Sequence, residues 1–350
     1  MLLYIHIPYC DSKCHYCAFN SYVDRFDTRR SYMEALRRQL RFELERFDAK
    51  KAGIETLFIG GGTPSTVAPE LYAPLFEDLR PYLALDAEIS TEANPNSATS
   101  RWLEGMKALG VNRVSFGVQS FDADKLKRLG RAHPPNQAIQ AIERAAEANF
   151  ERISLDLIYN CAGDDRKLLE ADLQQAFSLP ITHLSAYELT IESGTLFEKS
   201  PEARQEDDRL ARWMAERIRE RGFPQYEISN FGEPCRHNLG YWKLRDYIGL
   251  GAGGVGFLRD RRFYPESSID RYIADPLAHR VERLSTDDLR TEKIFLGLRS
   301  RIGISSETLL PQERERAELL LREGKLGFES SRYFNPDFFL VDEIALFLLE

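Results

Sequence analysis

Cys10, Cys14 and Cys17 stand in the stretch His6-Ile-Pro-Tyr-Cys-Asp-Ser-Lys-Cys-His-Tyr-Cys-Ala-Phe-Asn20, a C-x3-C-x2-C spacing with no fourth cysteine close by. Thiolates are ligands for soft metals, and a cubane iron–sulfur cluster usually takes four of them. Three thiolates would leave one iron open to a small ligand, which makes a site for chemistry and not only for electron storage. Two plainer readings stay open. One is a zinc ion with His15 or His6 as fourth ligand. Structural zinc sites usually pair two short clips, and here Cys161 and Cys235 stand alone. The other is a disulfide, which leaves one of the three cysteines unpaired.

Further chemistry-bearing residues follow at intervals. Gly60-Gly-Gly-Thr-Pro64 lets a backbone approach a ligand closely and offers the Thr63 hydroxyl. No G-K-[ST] follows, so it is not a phosphate loop. Glu92, Gln119, Arg131 and Asp156 bring a carboxylate pair, an amide and a guanidinium, a set able to hold an amino acid and a ribose. Gly249-Leu-Gly-Ala-Gly-Gly254 matches G-x-G-x-x-G, but it lies late in the chain, outside any early βαβ unit, and reads as a structural turn near the site. Cys235-Arg-His-Asn-Leu-Gly-Tyr-Trp242 offers His237, or Cys235, as an axial heme ligand beside Tyr241 and Trp242. From these residues alone, a buried histidine among packed aromatics is the better reading of His237.

The elements that position these residues alternate. Leu2 to Ile7 reads as a buried strand ended by Pro8, and strands follow at Glu55–Gly60, Asp86–Glu92, Arg113–Val118, Arg152–Tyr159 and Thr182–Leu189. Helical periodicity marks Thr28–Phe47, Ala68–Leu79, Ser97–Leu109, Asn136–Asn149, Lys167–Leu179 and Asp207–Arg221. The repeat makes six β–α units in about 220 residues. It predicts an α/β protein with a parallel sheet clad by helices, a partial (β/α)6 TIM-type barrel in preference to an open doubly wound sheet. Each strand ends in a polar or glycine cluster, as a barrel's active edge requires. The predicted division is a barrel over 1–222, an aromatic and glycine-rich extension over 223–283, and a small helical, winged-helix-like domain over 284–350. That last part has no strong basic stripe, so scaffolding or partner docking is expected of it and not DNA binding.

The chain has 350 residues, 43% hydrophobic and 29% charged, with a formal net charge of -8. A sizeable core is expected, and nonspecific nucleic-acid binding is disfavoured. The first residues lack the features of a signal peptide, and no run approaches the roughly 20 apolar residues of a spanning helix. Three clustered cysteines suit a reducing compartment. The expectation is a cytoplasmic protein.

Taken together, Tyr4-Ile-His-Ile-Pro-Tyr-Cys10, Cys14-His-Tyr-Cys-Ala-Phe19, Gly60-Gly-Gly-Thr-Pro64, Glu92-Ala-Asn-Pro95, Gly117-Val-Gln-Ser-Phe121, Gly130-Arg-Ala-His133 and His237-Asn-x-x-Tyr-Trp242 resemble the radical S-adenosylmethionine (SAM) enzymes related to oxygen-independent coproporphyrinogen-III oxidase. Within them the chain is most similar to the heme-chaperone branch. The resemblance implies a [4Fe-4S] cluster on Cys10, Cys14 and Cys17, its open iron chelated by SAM. It implies a SAM site of Tyr4, Gly61, Gly62, Thr63, Glu92, Gln119, Arg131 and Asp156, with reductive cleavage of the sulfonium. It makes His237 a heme-site residue. It also implies heme-acceptor partners such as respiratory hemoproteins, association with a membrane through them, and a homodimer. The oxidases carry a fourth cysteine, at the position of Phe19, and an N-terminal extension where this chain has nine residues before Cys10. Both differences point toward heme handling and away from decarboxylation of a porphyrinogen. After Asp156 the family usually continues Leu-Ile-Tyr-Gly-Leu-Pro, where this chain has Leu-Ile-Tyr-Asn-Cys-Ala. Cys161 in that loop has no assigned role.

Overall fold

A computed structural model describes residues 1–350. Six strands, β1 (Leu2–Ile7), β2 (Ile54–Gly61), β3 (Leu83–Ala93), β4 (Arg113–Gln119), β5 (Arg152–Tyr159) and β6 (His183–Glu188), pair in parallel and in sequence order. This order has no reversal, so it is that of a barrel and not of a doubly wound sheet. Between the strands run α1 (Arg29–Arg46), α2 (Pro69–Leu79), α3 (Ser100–Leu109), α4 (Ala123–Arg128), α5 (Pro135–Glu147) and α6 (Arg166–Phe177), with α7 (Asp208–Glu220) after β6. Local chemistry sets their ends. Thr99, Asp122, Asp165 and Asp207 accept the first backbone N–H groups of α3, α4, α6 and α7. The six-residue α4 is too short for apolar periodicity to mark it, and the sequence reading passed over it.

Alternation within each strand divides the molecule. Leu3, Ile5, Leu57, Ile59, Val114, Phe116, Leu155 and Leu184 pack against helix residues such as Leu36, Leu40, Phe76, Met106, Ile142 and Leu173 in one large core. The opposite positions, among them Tyr4, Thr56, Glu88, Glu92, Ser115, Ser154, Asp156 and His183, face the hollow of the curved sheet. The apolar core therefore lies outside the strands, and the hollow is left polar.

The extension over 223–283 lengthens both edges of the sheet. On one edge β7 (Asn230–Gly232) lies antiparallel to β6. Past it, α8 (Arg236–Trp242) crosses below the strands' N-terminal ends, Gly240 lying against Leu2. On the other edge β8 (Tyr247–Leu250) runs parallel to β1. Next come β9 (Gly256–Leu258), β10 (Arg261–Pro265) and β11 (His279–Arg283), all antiparallel, with α9 (Ile269–Ala274) before β11. The ring stays open between β7 and β11.

A second core of twelve buried residues, from Ile294 to Leu348, holds the C-terminal part together. It contains α10 (Thr286–Leu298), β12 (Ile304–Ser305), α11 (Pro311–Arg322), the hairpin β13 (Gly327–Glu329) and β14 (Arg332–Phe334), and α12 (Val341–Leu349). The three short strands form an antiparallel sheet, as a winged-helix-like unit has. No helix is long and apolar enough to cross a membrane.

Candidate functional site

The cysteine loop leaves the C-terminal end of β1 and is tied down along its length. Cys10 N donates to Tyr22 O at 3.0 Å, and His15 N donates to Leu129 O at 3.1 Å. Asn20 closes it, its amide donating to the carbonyls of Ala252 and Ser267 at 2.9 and 2.8 Å. The glycine-rich turn after β8 is thus a seat for the loop, as the sequence suggested. Gly251 takes φ +99° there, which L side chains rarely adopt.

The loop forms one wall of a cavity of about 800 Å³ at the C-terminal ends of the strands. Ten of the twelve residues singled out from the sequence line it: Cys10, Cys14, Cys17, Gly61, Gly62, Thr63, Glu92, Gln119, Arg131 and Asp156. Their positions follow from the strands. Gly61 has φ +108°, and a Cβ on it would lie 2.5 Å from the His6 ring. A Cβ on Gly62 would lie 2.8 Å from the carbonyl oxygens of Ile7 and Tyr9. Only glycine lets this backbone lie so close to the cysteine loop. Gln119 ends β4 with φ +72°, where the pairing with β5 slips out of register. A non-glycine residue held there marks strain that the surroundings enforce.

Polar groups converge on the thiols. Cys10 Sγ lies 3.4 Å from Thr63 Oγ1, and Arg131 Nη1 donates to Cys14 Sγ at 3.3 Å. Arg131 Nη2 also donates to Asn94 Oδ1 at 2.9 Å and to the Gly117 carbonyl. Its Nε is buried with no partner. Burial pushes the Cys10 and Cys17 thiols up. No three Cys, His, Asp or Glu side chains converge on a point that could hold a single ion. Cys10, Cys14 and Cys17 all line the cavity, where they can supply three of the thiolates a cluster takes.

Two carboxyls lie across the cavity. Glu92 Oε2 accepts from Gly61 N at 3.0 Å, and Ser115 Oγ donates to Asp156 Oδ1 at 3.5 Å. Burial and then the charge of Asp156 push Glu92 up to about 8. Burial pushes Asp156 up to about 6, against the pull of Ser185 and Arg113. Two carboxyls that resist ionisation in one hollow favour a cationic or N–H-donating guest.

Beneath the rim lies an ion cluster that sequence reasoning missed. Lys125, fully buried, donates from Nζ to Asp164 Oδ2 at 2.8 Å and lies 4.0 Å from Asp172. Asp172 accepts from Ser120 Oγ and from Phe121 N at 2.6 Å. Asp164 also accepts from Cys161 N at 3.0 Å. The triad joins the turn after Gln119, the helix leading to Arg131, and the departing loop that holds Cys161. That loop keeps its geometry by a carboxylate clamp. Helical spacing gave no sign of Lys125, because its partners are 39 and 47 positions away. The mouth was also missed: Phe338, Phe339, Val341 and Asp342 reach it from the C-terminal part.

Tyr4 and His237 do not line the cavity. Tyr4 lies deeper, its hydroxyl 3.0 Å from His6 Nδ1 and its ring stacked on Phe58. His237 is fully buried at the opposite end of the strands. Its Nδ1 lies 2.7 Å from Thr56 Oγ1 and its Nε2 lies 2.9 Å from Tyr241 Oη, so both ring nitrogens are engaged. Burial lowers its pKa to about 3. Both ring nitrogens of His237, the residue expected at a heme site, are thus hydrogen-bonded within the protein.

The chain is similar to known proteins. The model of the radical SAM superfamily matches residues 4–175. A heme chaperone HemW of Mycobacterium tuberculosis (strain ATCC 25618 / H37Rv) is 35% identical across 94% of this chain and 89% of its own. Those of Bacillus subtilis (strain 168) and Escherichia coli (strain K12) are 33% and 40% identical, across 87% and 73% of this chain and 84% and 69% of theirs. The chain belongs to the HemW family. Among solved structures, the coproporphyrinogen III oxidase HemN of Escherichia coli superposes with a TM-score of 0.82 at 19% identity, over 99% of this chain and 89% of that one. That likeness establishes a shared fold.

Radical SAM membership implies a [4Fe-4S] cluster and SAM, and this HemW-family site fits both. The donor set is three thiols with a hydroxyl and a guanidinium already directed at two sulfurs. The orphaned Arg131 Nε leaves a donor for a ligand, and Gly61 and Gly62 let the β2 turn lie close against the cysteine loop.

Proposed function

We propose that this protein is a heme chaperone that holds a [4Fe-4S] cluster with SAM and passes heme to acceptor hemoproteins. What supports the reading most is the family similarity over most of the chain's length, with Phe19 where the oxidases resemble a fourth cysteine. Cys10, Cys14 and Cys17 would hold the cluster. Thr63 and Arg131 donate toward its sulfur ligands and offset their charge. Gly61 and Gly62 let the turn after β2 line the cavity close against the cysteine loop. Gln119 offers an amide, and Glu92 and Asp156 accept N–H or hydroxyl groups and face a cation. The chemistry the bound pair supplies is one-electron reduction of a sulfonium. Phe338, Phe339, Val341 and Asp342 of the C-terminal part border the mouth of that cavity.

The same reading takes residues 1–222 as the barrel, 223–283 as its extension and 284–350 as the appended domain. It places the protein in the cytoplasm, reaching the membrane only through acceptors, as a homodimer. Anaerobic reconstitution followed by iron and sulfide analysis and hemin titration tests it. About four irons and four sulfides per chain, with a Soret band that transfers to an apo-hemoprotein, are expected. Vinyl product from coproporphyrinogen, reductant and SAM would replace it with the oxidase reading.

A further inference from the structure

Lys125 is fully buried between Asp164 and Asp172 and does not line the cysteine cavity. A buried ion group is weak evidence for stability, because apolar side chains of similar volume often hold a core as well or better. Here two carboxylates face one lysine, so the group also carries a surplus negative charge. What a buried polar network does provide is one fixed arrangement of the elements that carry it. The Lys125 group joins three: the turn after β4, α4, and the stretch from Cys161 into α6.

The turn begins at Gln119, whose φ of +72° persists only where the surroundings enforce it. The next two residues do so. Ser120 Oγ, fully buried, donates to Asp172 Oδ2 at 2.8 Å, and Phe121 N donates to Asp172 Oδ1 at 2.6 Å. Ser120 Oγ also accepts from Asp122 N at 3.0 Å, and Asp122 caps α4 by accepting from Lys125 N at 2.7 Å. Lys125 Nζ then ties α4 to Asp164 at 2.8 Å. At the far end of α4, Leu126 O accepts from Arg131 N at 2.9 Å. Gln119 and Arg131, both lining the cysteine cavity, are thus the two ends of one bracket pinned from beneath at its middle. The cysteine loop rests on the same bracket. His15 N donates to Leu129 O at 3.1 Å, and His15 Nδ1 donates to Arg128 O at 2.8 Å. Gly130 has φ +71°, and a Cβ on it would lie 2.6 Å from the His15 ring. A shift of the bracket therefore moves Gln119, Arg131 and the seat of the cysteine loop relative to one another.

We propose that Lys125 and Asp172 are positioning residues for the SAM site. They touch neither SAM nor the cluster, and act through the segment 119–131 to set the Gln119 amide and the Arg131 guanidinium against the cysteines. Binding groups must be held within about 0.5 Å of their working geometry by the residues behind them. A strained turn and a six-residue helix cannot hold themselves to that, and the buried ion group supplies the hold. The proposal rests on the reading of Gln119 and Arg131 as SAM-site residues.

The full chain is reconstituted anaerobically as wild type, Lys125→Met/Asp164→Asn, Ser120→Ala, Gln119→Ala and Leu79→Ala. Leu79, fully buried in the helix layer at the end of α2, lies outside the bracket and controls for lost stability alone. Each protein is read by iron content, thermal melt, SAM affinity in equilibrium dialysis, and the change that SAM makes in the EPR spectrum of the reduced cluster. Iron content is expected to match wild type throughout. SAM affinity is expected to fall at least about tenfold in Lys125→Met/Asp164→Asn and in Ser120→Ala, the size of effect that losing an outer partner has, with an altered EPR change. Leu79→Ala should melt lower and bind SAM as wild type does. In the cluster-free proteins, amide exchange over 120–131 should speed up in the two bracket variants and not in Leu79→Ala. Ser120→Ala removes one hydroxyl and leaves all three charges in place, so it carries the test if the double variant does not fold. Wild-type affinity and EPR change in the bracket variants, beside a weakened Gln119→Ala, would overturn the positioning role and leave the site reading standing. Wild-type affinity in Gln119→Ala would overturn the site reading and the proposal with it. A loss in Leu79→Ala as large as in the bracket variants would reduce the effect to stability and overturn the positioning role.

Discussion

Glu92 offers the sharpest test of the cavity, because its burial opposes the charge its role requires. Its carboxyl is pushed from about 4.5 to about 8 by burial and by Asp156. A carboxyl that keeps its proton longer in the folded state than in the unfolded state binds more protons when folded. Stability therefore falls as pH rises from about 4.5 to about 8. At 1.36 kcal/mol per pH unit, the cost that Glu92 imposes grows by about 2 kcal/mol between pH 6 and pH 8. Glu92→Gln keeps the shape and removes the titration. In the cluster-free protein, the variant's stability relative to wild type should rise by about that amount between pH 6 and pH 8, and stay nearly level below pH 5. Urea unfolding at pH 5, 6, 7 and 8 reads it. SAM binding to the reconstituted protein should show the opposite face of the same balance. Wild-type affinity should increase as pH rises toward 8, because binding draws the proton off Glu92. In Glu92→Gln the affinity should be weak and level with pH. Parallel stability curves for the two proteins between pH 6 and pH 8 would refute the claim that Glu92 is held protonated by its surroundings.

Lys125→Met should cost about 3–5 kcal/mol in urea unfolding, since it leaves Asp164 and Asp172 buried without a cation. Lys125→Met with Asp164→Asn should recover part of that loss. Gly61→Ala should lose about 2 kcal/mol or more and abolish SAM binding, because the left-handed φ and the His6 ring both oppose a methyl group there. Calorimetry and equilibrium dialysis check the two effects. His237→Ala should lower stability by about 3 kcal/mol, leaving a void and the hydroxyls of Thr56 and Tyr241 unpaired. A wild-type melt for that variant would contradict its placement as a packed core residue.

The barrel was legible because its signals are local. Strands and helices alternate with clean apolar periods, and each strand that carries chemistry stops at a glycine or polar residue the sequence displays. The cluster loop and most of its cavity followed from that register. What escaped depends on distance along the chain. Lys125 meets Asp164 and Asp172 only after the β4–α4–α5 and β5–α6 units fold together, and a lysine on a short helix otherwise reads as solvated. The short strands of 223–283 have too few residues to show a period, and nothing in them announces that they add to both edges of one sheet.

The His-Asn-x-x-Tyr-Trp stretch shows how a motif's spacing can follow from packing. His237 and Tyr241 are four apart on α8, so Tyr241 Oη reaches His237 Nε2 on one helix face. A seven-residue helix is not stable alone. Glu88, buried mid-strand in β3, holds its start by accepting from Cys235 Sγ, Arg236 N and His237 N at 3.4, 3.1 and 3.1 Å. A carboxylate at a helix N-terminus satisfies donors that the helix cannot. Thr56 then fixes the imidazole from β2. Each contact ties α8 to inward-facing polar positions of the strands, which an apolar barrel interior would not offer. The polar hollow thus has two uses. At the strands' C-terminal ends it is open and carries the cysteines, glycines and paired carboxyls. At the N-terminal ends the same alternation supplies the hydrogen bonds that seat a short helix as a plug. Loss of the His237 contacts to Thr56 and Tyr241 therefore loosens that plug.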